Sequence, residues 1–476
     1  MKPRFAIATL LMLALVSSAN AAVKSMEAPS QRFDRAAHLA RMLELQQRLG
    51  SSMVTLAAQA PLRIAISDDE RRSIKQRVTN ETKMAVGVVR ELAIPIDFAR
   101  NDVVRNGARM HDAFGATRGR DDGGFDWSGV IASDGAAAVR LHFTDVDLPA
   151  GAELYVFGRN GMAFGPYTGR GPNGDGDFWS NTIAGSEIVI QLSAGANGSP
   201  RFTIAGLGYL TDDFAIAKSL APRLASDSVP PCTYNASCIV DAACVTTNPA
   251  VDTAKNAVAH ILFVSRRILY YCSGGLVADS DPSTEIPYFI TANHCISTRA
   301  EAESIETYFF YAATTCGGCP ARGAASTTGA TLVKTARRGD YTLVQLAQPA
   351  PAGTAFLGWN SNPIAFAGGT DLYRISHPHA APQAYSEHVV DTSRPACREW
   401  PRGDWIYSVD ILGGIEPGSS GAPVVNSAGE MVGQLSGFCG SNELVVCDPQ
   451  SNATADGAFA EYYSGVSRFL GTGRTH

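Results

Sequence analysis

Residues Ile415–Pro423 read IEPGSSGAP, two serines set between glycines. A Gly/Ser/Pro run of this kind usually makes a flexible turn, because glycine tolerates backbone angles that other residues avoid. Whether one of the serines does chemistry depends on what the rest of the chain supplies. PYFITANHC (287–295) is an apolar run that ends at His294, with Cys295 directly after it. GDYTLVQL (339–346) opens on an acid, Asp340, and continues in the alternating pattern of a strand. A lone histidine or acid at a strand end is ordinarily a surface residue. The ordered set His294, Asp340, Ser420 in a strand-rich half is a stronger signal, because a serine hydroxyl needs a base, and the base needs an acid to orient it.

The first residues set the compartment. Lys2 and Arg4 precede the apolar run Phe5 to Val16, and Ala19-Asn20-Ala21 follows as a small-residue cleavage site. This is the pattern of a secretory signal peptide over residues 1–21. The run is too short for a bilayer core, which needs about 20 residues. The mature chain is therefore expected to be secreted or periplasmic, without membrane contact. A net charge of −6 with 18% charged residues leaves no basic footprint for nucleic acid.

The 46 glycines and 25 prolines suit short strands and frequent turns. All ten cysteines lie between Cys232 and Cys447. In an exported chain that distribution implies a disulfide framework for the C-terminal half alone. Residues 22–225 are expected to form an N-terminal part and residues 226–476 a second domain. The spacing of Phe33, Leu39, Met42, Leu43 and Leu49 predicts a helix ending near Gly50, whereas residues 60–130 show no clear period. From AVRLHFTDVDL onward the pattern is β. The short strands ELYVFG, SEIVIQLS and FTIAGLGYL predict a β-sandwich-like unit over about 120–212. Residues 211–230 read as a linker, and the remainder is all-β.

At this point the C-terminal half resembles a trypsin-like serine protease, and in particular the bacterial lysyl endopeptidases. TANHC, GDYTLVQL, FLGWN, SHP at 376–378, EPGSSGAP and GQLSG recur in that family's order over residues 232–470. The resemblance implies a chymotrypsin-like double β-barrel with the active site between the barrels, preceded by a pro-domain. It implies Ser420 as nucleophile, His294 as general base and Asp340 as its orienting acid, with the Gly418 and Ser420 amides as the oxyanion hole. No metal or cofactor is called for. Protein or peptide substrates are the expected partners of a monomer whose own pro-domain acts as intramolecular inhibitor or chaperone. Ser419 stands where pancreatic-type relatives carry an aspartate that receives a new N-terminus. Activation is therefore expected to proceed by removal of residues 22–225.

The family pattern further implies the disulfides Cys272–Cys295, Cys244–Cys316 and Cys238–Cys447, leaving Cys397–Cys439 and Cys232–Cys319 as guesses. For specificity, the trypsin acid six residues before the nucleophile is Gly414 here. A lysyl endopeptidase aspartate nine residues beyond a disulfide cysteine is matched by Asp456 (456 − 447 = 9). Ser436 replaces a family histidine beside Gly437, and Trp400 matches the tryptophan that stacks on it. Cleavage after Lys or Arg is thus expected. A glutamyl-type protease and an inactive protease-like binding module are the alternatives.

Overall fold

The computed structural model describes residues 21–26, 32–53, 61–78, 83–98, 114–159, 162–196, 198–211, 234–443 and 445–471. The signal segment before Ala21, nearly all of the 211–230 linker and Cys232 lie outside these residues.

The C-terminal half folds as two barrels. In the first, the hairpin Val258–Ser265 and Ile268–Leu276 passes to Tyr288–Ala292, then Tyr341–Leu346 and Ala330–Ala336. Across the Gly329 corner, Ala325–Thr328 pairs with Glu306–Phe309, which returns to Val258–Ser265. The second barrel closes fully. Asp371–Ser376, Ala384–Val390, Trp405–Gly413, Asn452–Ala458, Met431–Gly440 and Pro423–Asn426 pair in that order, and the last returns to the first. Strands such as VAHILFVS are buried along almost their whole length because other chain covers both faces. The closing helix Phe459–Leu470 seals the joint with Phe459, Tyr462, Val466 and Leu470.

The N-terminal half contains two facing sheets. One runs through Phe125–Ala132, Glu187–Ala194, Glu153–Phe157 and Ala163–Tyr167, and the other through Ala138–Asp147, Arg201–Leu210 and Met84–Asp97. Trp127, Phe143, Phe178, Phe202 and Leu192 fill the space between them, as inward-facing residues of a sandwich should. The strand Met84–Asp97 falls in the region where the sequence showed no clear period. The helix Arg35–Ser52 starts at Asp34, whose side chain caps the Ala37 amide.

The halves are stitched together rather than linked by one hinge. Met84–Asp97 pairs with Ile268–Leu276 of the first barrel, with Val88 opposite Ile268 and Met84 opposite Tyr271. Ala22–Val23 pairs with Trp359–Asn360 beside the second barrel. Arg35 donates to the carbonyls of Phe310, Arg322 and Gly323. Glu306, buried in the first barrel, accepts from the Thr182 amide and hydroxyl and from Asn181.

Candidate active site

The strand Tyr288–Ala292 ends in a turn that presents His294, and the Cys272–Cys295 disulfide (S–S 2.02 Å) ties that turn to the neighbouring strand. Asp340 stands at the turn before Tyr341–Leu346 with φ 47°, following Gly339 at φ 73°. This left-handed pair aims the carboxylate at His294. Asp340 Oδ2 lies 2.8 Å from His294 Nδ1, and Oδ1 accepts from the His294 amide at 2.9 Å. Because the carboxylate can only accept, Nδ1 carries the proton and Nε2 is left as the basic atom. Among the described residues, Nε2 has no hydrogen-bond partner.

Ser420 arrives from the second barrel. Its carbonyl accepts from the Ser273 amide at 2.8 Å and lies 3.8 Å from Cys295 Sγ, which sets it beside the His294 turn. The Gly418 and Ser420 amides make no hydrogen bond to the chain among the described residues. Their orientation follows from the planar peptide. The Pro417 carbonyl accepts from His379 N at 2.8 Å and the Ser419 carbonyl from Ala422 N at 3.0 Å, so the amides of Gly418 and Ser420 point the opposite way. Gly418 has φ 104°, and a Cβ there would stand 2.3 Å from Tyr271 Cε2. No other residue fits. Ser419 is fully buried, and its hydroxyl accepts from Ser376 at 3.0 Å.

Sequence reasoning did not identify Ser273 and His379 as supports of this loop. Ser273 Oγ donates to the Gly418 carbonyl at 2.9 Å and accepts from His377 N at 3.0 Å. The SHP motif drew attention to this segment as part of the family's motif order, and the strand that supplies Ser273 is distant in sequence. Cys272, His294 and Cys295 lie close enough together to resemble a metal site. The two sulfurs are bonded to each other, which removes the thiolates that would ligate.

Next to the Ser420 turn, Ser436, Gly437 and Trp400 come together around Trp405. Trp405 Nε1 donates to Ser436 Oγ at 2.9 Å, Trp400 stacks on Trp405 with centroids 6.1 Å apart, and the Trp400 ring lies 3.3 Å from where a Gly437 Cβ would sit. Asp456 is placed differently from the substrate-facing position its spacing suggested. It pairs with Arg374 inside the second barrel, and both side chains are fully buried. Burial raises the Asp456 carboxyl above its ordinary value even with Arg374 beside it. Arg374 is the residue the motif comparison missed. Alternation in DLYRIS puts it on the inward face with Leu372 and Ser376.

The predicted disulfides Cys272–Cys295, Cys244–Cys316, Cys238–Cys447 and Cys397–Cys439 are all formed. Cys319 is also disulfide-bonded, and its expected partner Cys232 lies outside the described residues.

Two β-barrels, with a His–Asp pair on one facing a Gly-x-Ser-Gly turn on the other, define the class as a serine endopeptidase. Residues 233–454 match the family model described as lysyl endopeptidase, C-terminal domain. A lysyl endopeptidase of Pseudomonas aeruginosa is 29% identical over 74% of this chain and 76% of its own length. Among solved structures, the Rv3671c protease of M. tuberculosis in its active form is 16% identical with a TM-score of 0.33, covering 51% of this chain and 95% of its own. The HtrA-type protease AlgW with a decapeptide is 19% identical with a TM-score of 0.32, covering 45% and 64%. The chain is a serine endopeptidase that resembles the bacterial lysyl endopeptidases.

Proposed function

We propose that this is an exported endopeptidase, made as a zymogen, that uses Ser420 as nucleophile and prefers to cut after Lys or Arg. The observation that carries the reading is the double hold of Asp340 on His294 beside the Ser420 turn. His294 Nε2 takes the Ser420 proton as the hydroxyl attacks the scissile carbonyl, then returns it to the leaving amine. Asp340 keeps the imidazole in the Nδ1–H tautomer and stabilises its charge once protonated. The Gly418 and Ser420 amides receive the oxyanion, which strengthens them in the transition state more than in the ground state. The lysyl endopeptidase relative supports the basic preference.

Residues 22–225 are the pro-region in this reading, severed from the protease domain by a cut in the 211–230 linker. Lys218 and Arg223 are the linker's basic residues, so self-processing fits the same preference. The strand Met84–Asp97 supports a chaperone role. It pairs with Ile268–Leu276, and Met84 Sδ accepts from the hydroxyl of Tyr271, the residue packed on Gly418. Fluorophosphonate labelling of the secreted protein, with Ser420→Ala as control, tests the reading. Equal labelling of both proteins would sink it. N-terminal sequencing of the same two proteins tests self-processing, because the inactive variant should keep its pro-region.

A further inference from the structure

The basic preference requires a carboxylate that is ionised, reachable and not already paired. Asp456 fails on two counts. Its charge is met by Arg374, and neither side chain is exposed. A substrate cation approaching Asp456 would meet a guanidinium first, and separating the buried pair would leave Arg374 uncompensated.

Asp410 differs in how it is held: only one of its oxygens is engaged, and its ion-pair partner is an imidazole and not a guanidinium. It lies on Trp405–Gly413, where the pairing to Ala384–Val390 slips by one residue between His388 opposite Asp410 and Glu387 opposite Leu412. The extra residue is Ile411, a β-bulge of the kind that re-aims a neighbouring side chain. One carboxylate oxygen is anchored: Oδ1 accepts from Thr454 Oγ1 at 2.8 Å and from His388 Nδ1 at 2.7 Å. His388 Nε2 accepts from Arg374 Nη1 at 3.1 Å, which leaves the imidazole proton on Nδ1, facing Asp410. Burial pushes the Asp410 carboxyl up, but His388, Thr454 and Arg374 outweigh it and hold the group below its ordinary value.

The other oxygen is open. Among the described residues Asp410 Oδ2 has no hydrogen-bond partner, and the side chain keeps 9% exposure where Asp456 has none. Oδ2 lies 3.6 Å from where a Cβ of Gly414 would stand. Gly414, itself buried, begins the loop that ends in Ser420, and the place of its missing side chain is bounded by Asp410 Oδ2, by Cys238 Sγ at 3.4 Å and by Ile239 Cδ1 at 3.7 Å. Thr454, which anchors Asp410, faces Phe438 across the sheet, next to the Ser436–Gly437 edge. The unpartnered oxygen thus lies beside the start of the Ser420 loop, and its anchor Thr454 lies on the strand paired with the Ser436–Gly437 edge.

We propose that Asp410, and not Asp456, is the carboxylate that receives the substrate's cationic side chain, through the gap left by Gly414. This rests on the endopeptidase reading above. The test uses matched peptide substrates differing only in Lys or Met at the cleaved residue, with active sites counted by fluorophosphonate. Wild type should favour Lys in kcat/KM. Asp410→Asn should lower the Lys/Met ratio by about thirtyfold or more. Gly414→Leu brings a Cβ into contact with Cys238 Sγ, Asp410 Oδ2 and Ile239 Cδ1 and fills the space beside that oxygen without removing the carboxylate, so it should lower the ratio similarly even if Asp410→Asn fails to fold. The double variant Asp410→Asn/Gly414→Asp should recover Lys preference by restoring a carboxylate at the same place. An unchanged ratio in Gly414→Leu would overturn the assignment. So would a wild type that labels with fluorophosphonate and shows no preference for Lys. A wild type that does not label would overturn the endopeptidase reading, and this assignment with it.

Discussion

The amide of His379 donates to the carbonyl of Pro417 at 2.8 Å, and His379 holds a left-handed conformation (φ 50°, ψ 39°) to do so. Non-glycine residues reach that conformation only at a cost, and here it turns the Gly418 N–H toward the place an oxyanion would occupy. His379→Gly keeps both the amide and the backbone angles, so kcat should be retained. His379→Pro loses the amide and forbids the positive φ. Its kcat should fall by roughly 10²- to 10³-fold, the cost of one oxyanion donor. Equal kcat in the two variants, measured on one peptide substrate, would remove this segment from the oxyanion loop's support.

Ser420→Ala and His294→Ala should each cost on the order of 10⁴ or more in turnover, because nucleophile and base act as a unit. Asp340→Asn should lower kcat by a comparable factor through the wrong imidazole tautomer. Ser419→Ala should leave most of the activity. Its hydroxyl is occupied by Ser376, so its loss should appear as about 1 kcal/mol of stability. Burst titration and urea unfolding of the four variants separate these outcomes.

Stability should fall on mild acidification. His377 is fully buried, and burial pushes its pKa down to about 4, against a partial offset from its bond to the Ala381 carbonyl. In the unfolded chain the same group titrates near 6.5. Between these values the unfolded state holds the proton and the folded state does not. The stabilisation is therefore complete above about pH 6.5 and lost as pH falls toward 4, by about 3 kcal/mol for this group. His260, also buried and lowered, acts in the same direction. Urea midpoints at pH 7.5 and 4.5 should differ accordingly, and His377→Gln should shrink the difference.

After cleavage of the linker, the N-terminal half should remain bound. Strand pairing through Met84–Asp97 and the grip of Thr182 and Asn181 on buried Glu306 do not depend on covalent connection. Nicked Ser420→Ala protein should elute as one species on gel filtration. Glu306→Ala leaves the donors of Thr182 and Asn181 unpaired and should release the two halves or weaken their association by at least about tenfold. Separation of the nicked parent without the substitution would refute the prediction.

Removing the Cys272–Cys295 disulfide by a double Cys→Ala change should cost about 3 kcal/mol, given the 23-residue separation it spans. Activity should fall further than stability alone accounts for, because the bond fixes the turn that carries His294. Comparing kcat with the folded fraction from near-UV circular dichroism would resolve the two effects.

Much of this was legible along the chain. Period-two alternation and Gly/Pro punctuation marked the strands of both halves, since a strand's inward face must be apolar wherever the core forms. His294 and Asp340 stood out because each flanks a recognisable strand, and Ser420 because it lies in a Gly-Ser-Ser-Gly turn between two strands. Gly418 was singled out in the sequence as the glycine proposed for the oxyanion hole, and the structure adds that Tyr271 excludes any side chain there. The N-terminal helix was anticipated from its spacing, while Met84–Asp97 was not. Half of that strand is buried on both faces, so its pattern carries little alternation. What only the tertiary structure decided is how each acid of the second barrel is partnered. Arg374 and Asp456 lie on strands that are not neighbours in the second barrel, and they meet across its interior. Asp410, beside a one-residue bulge, is held by His388 and Thr454 through one oxygen and keeps the other next to Gly414. No local pattern records such pairings, because buried charges choose partners by proximity in the closed barrel and not by spacing along the chain.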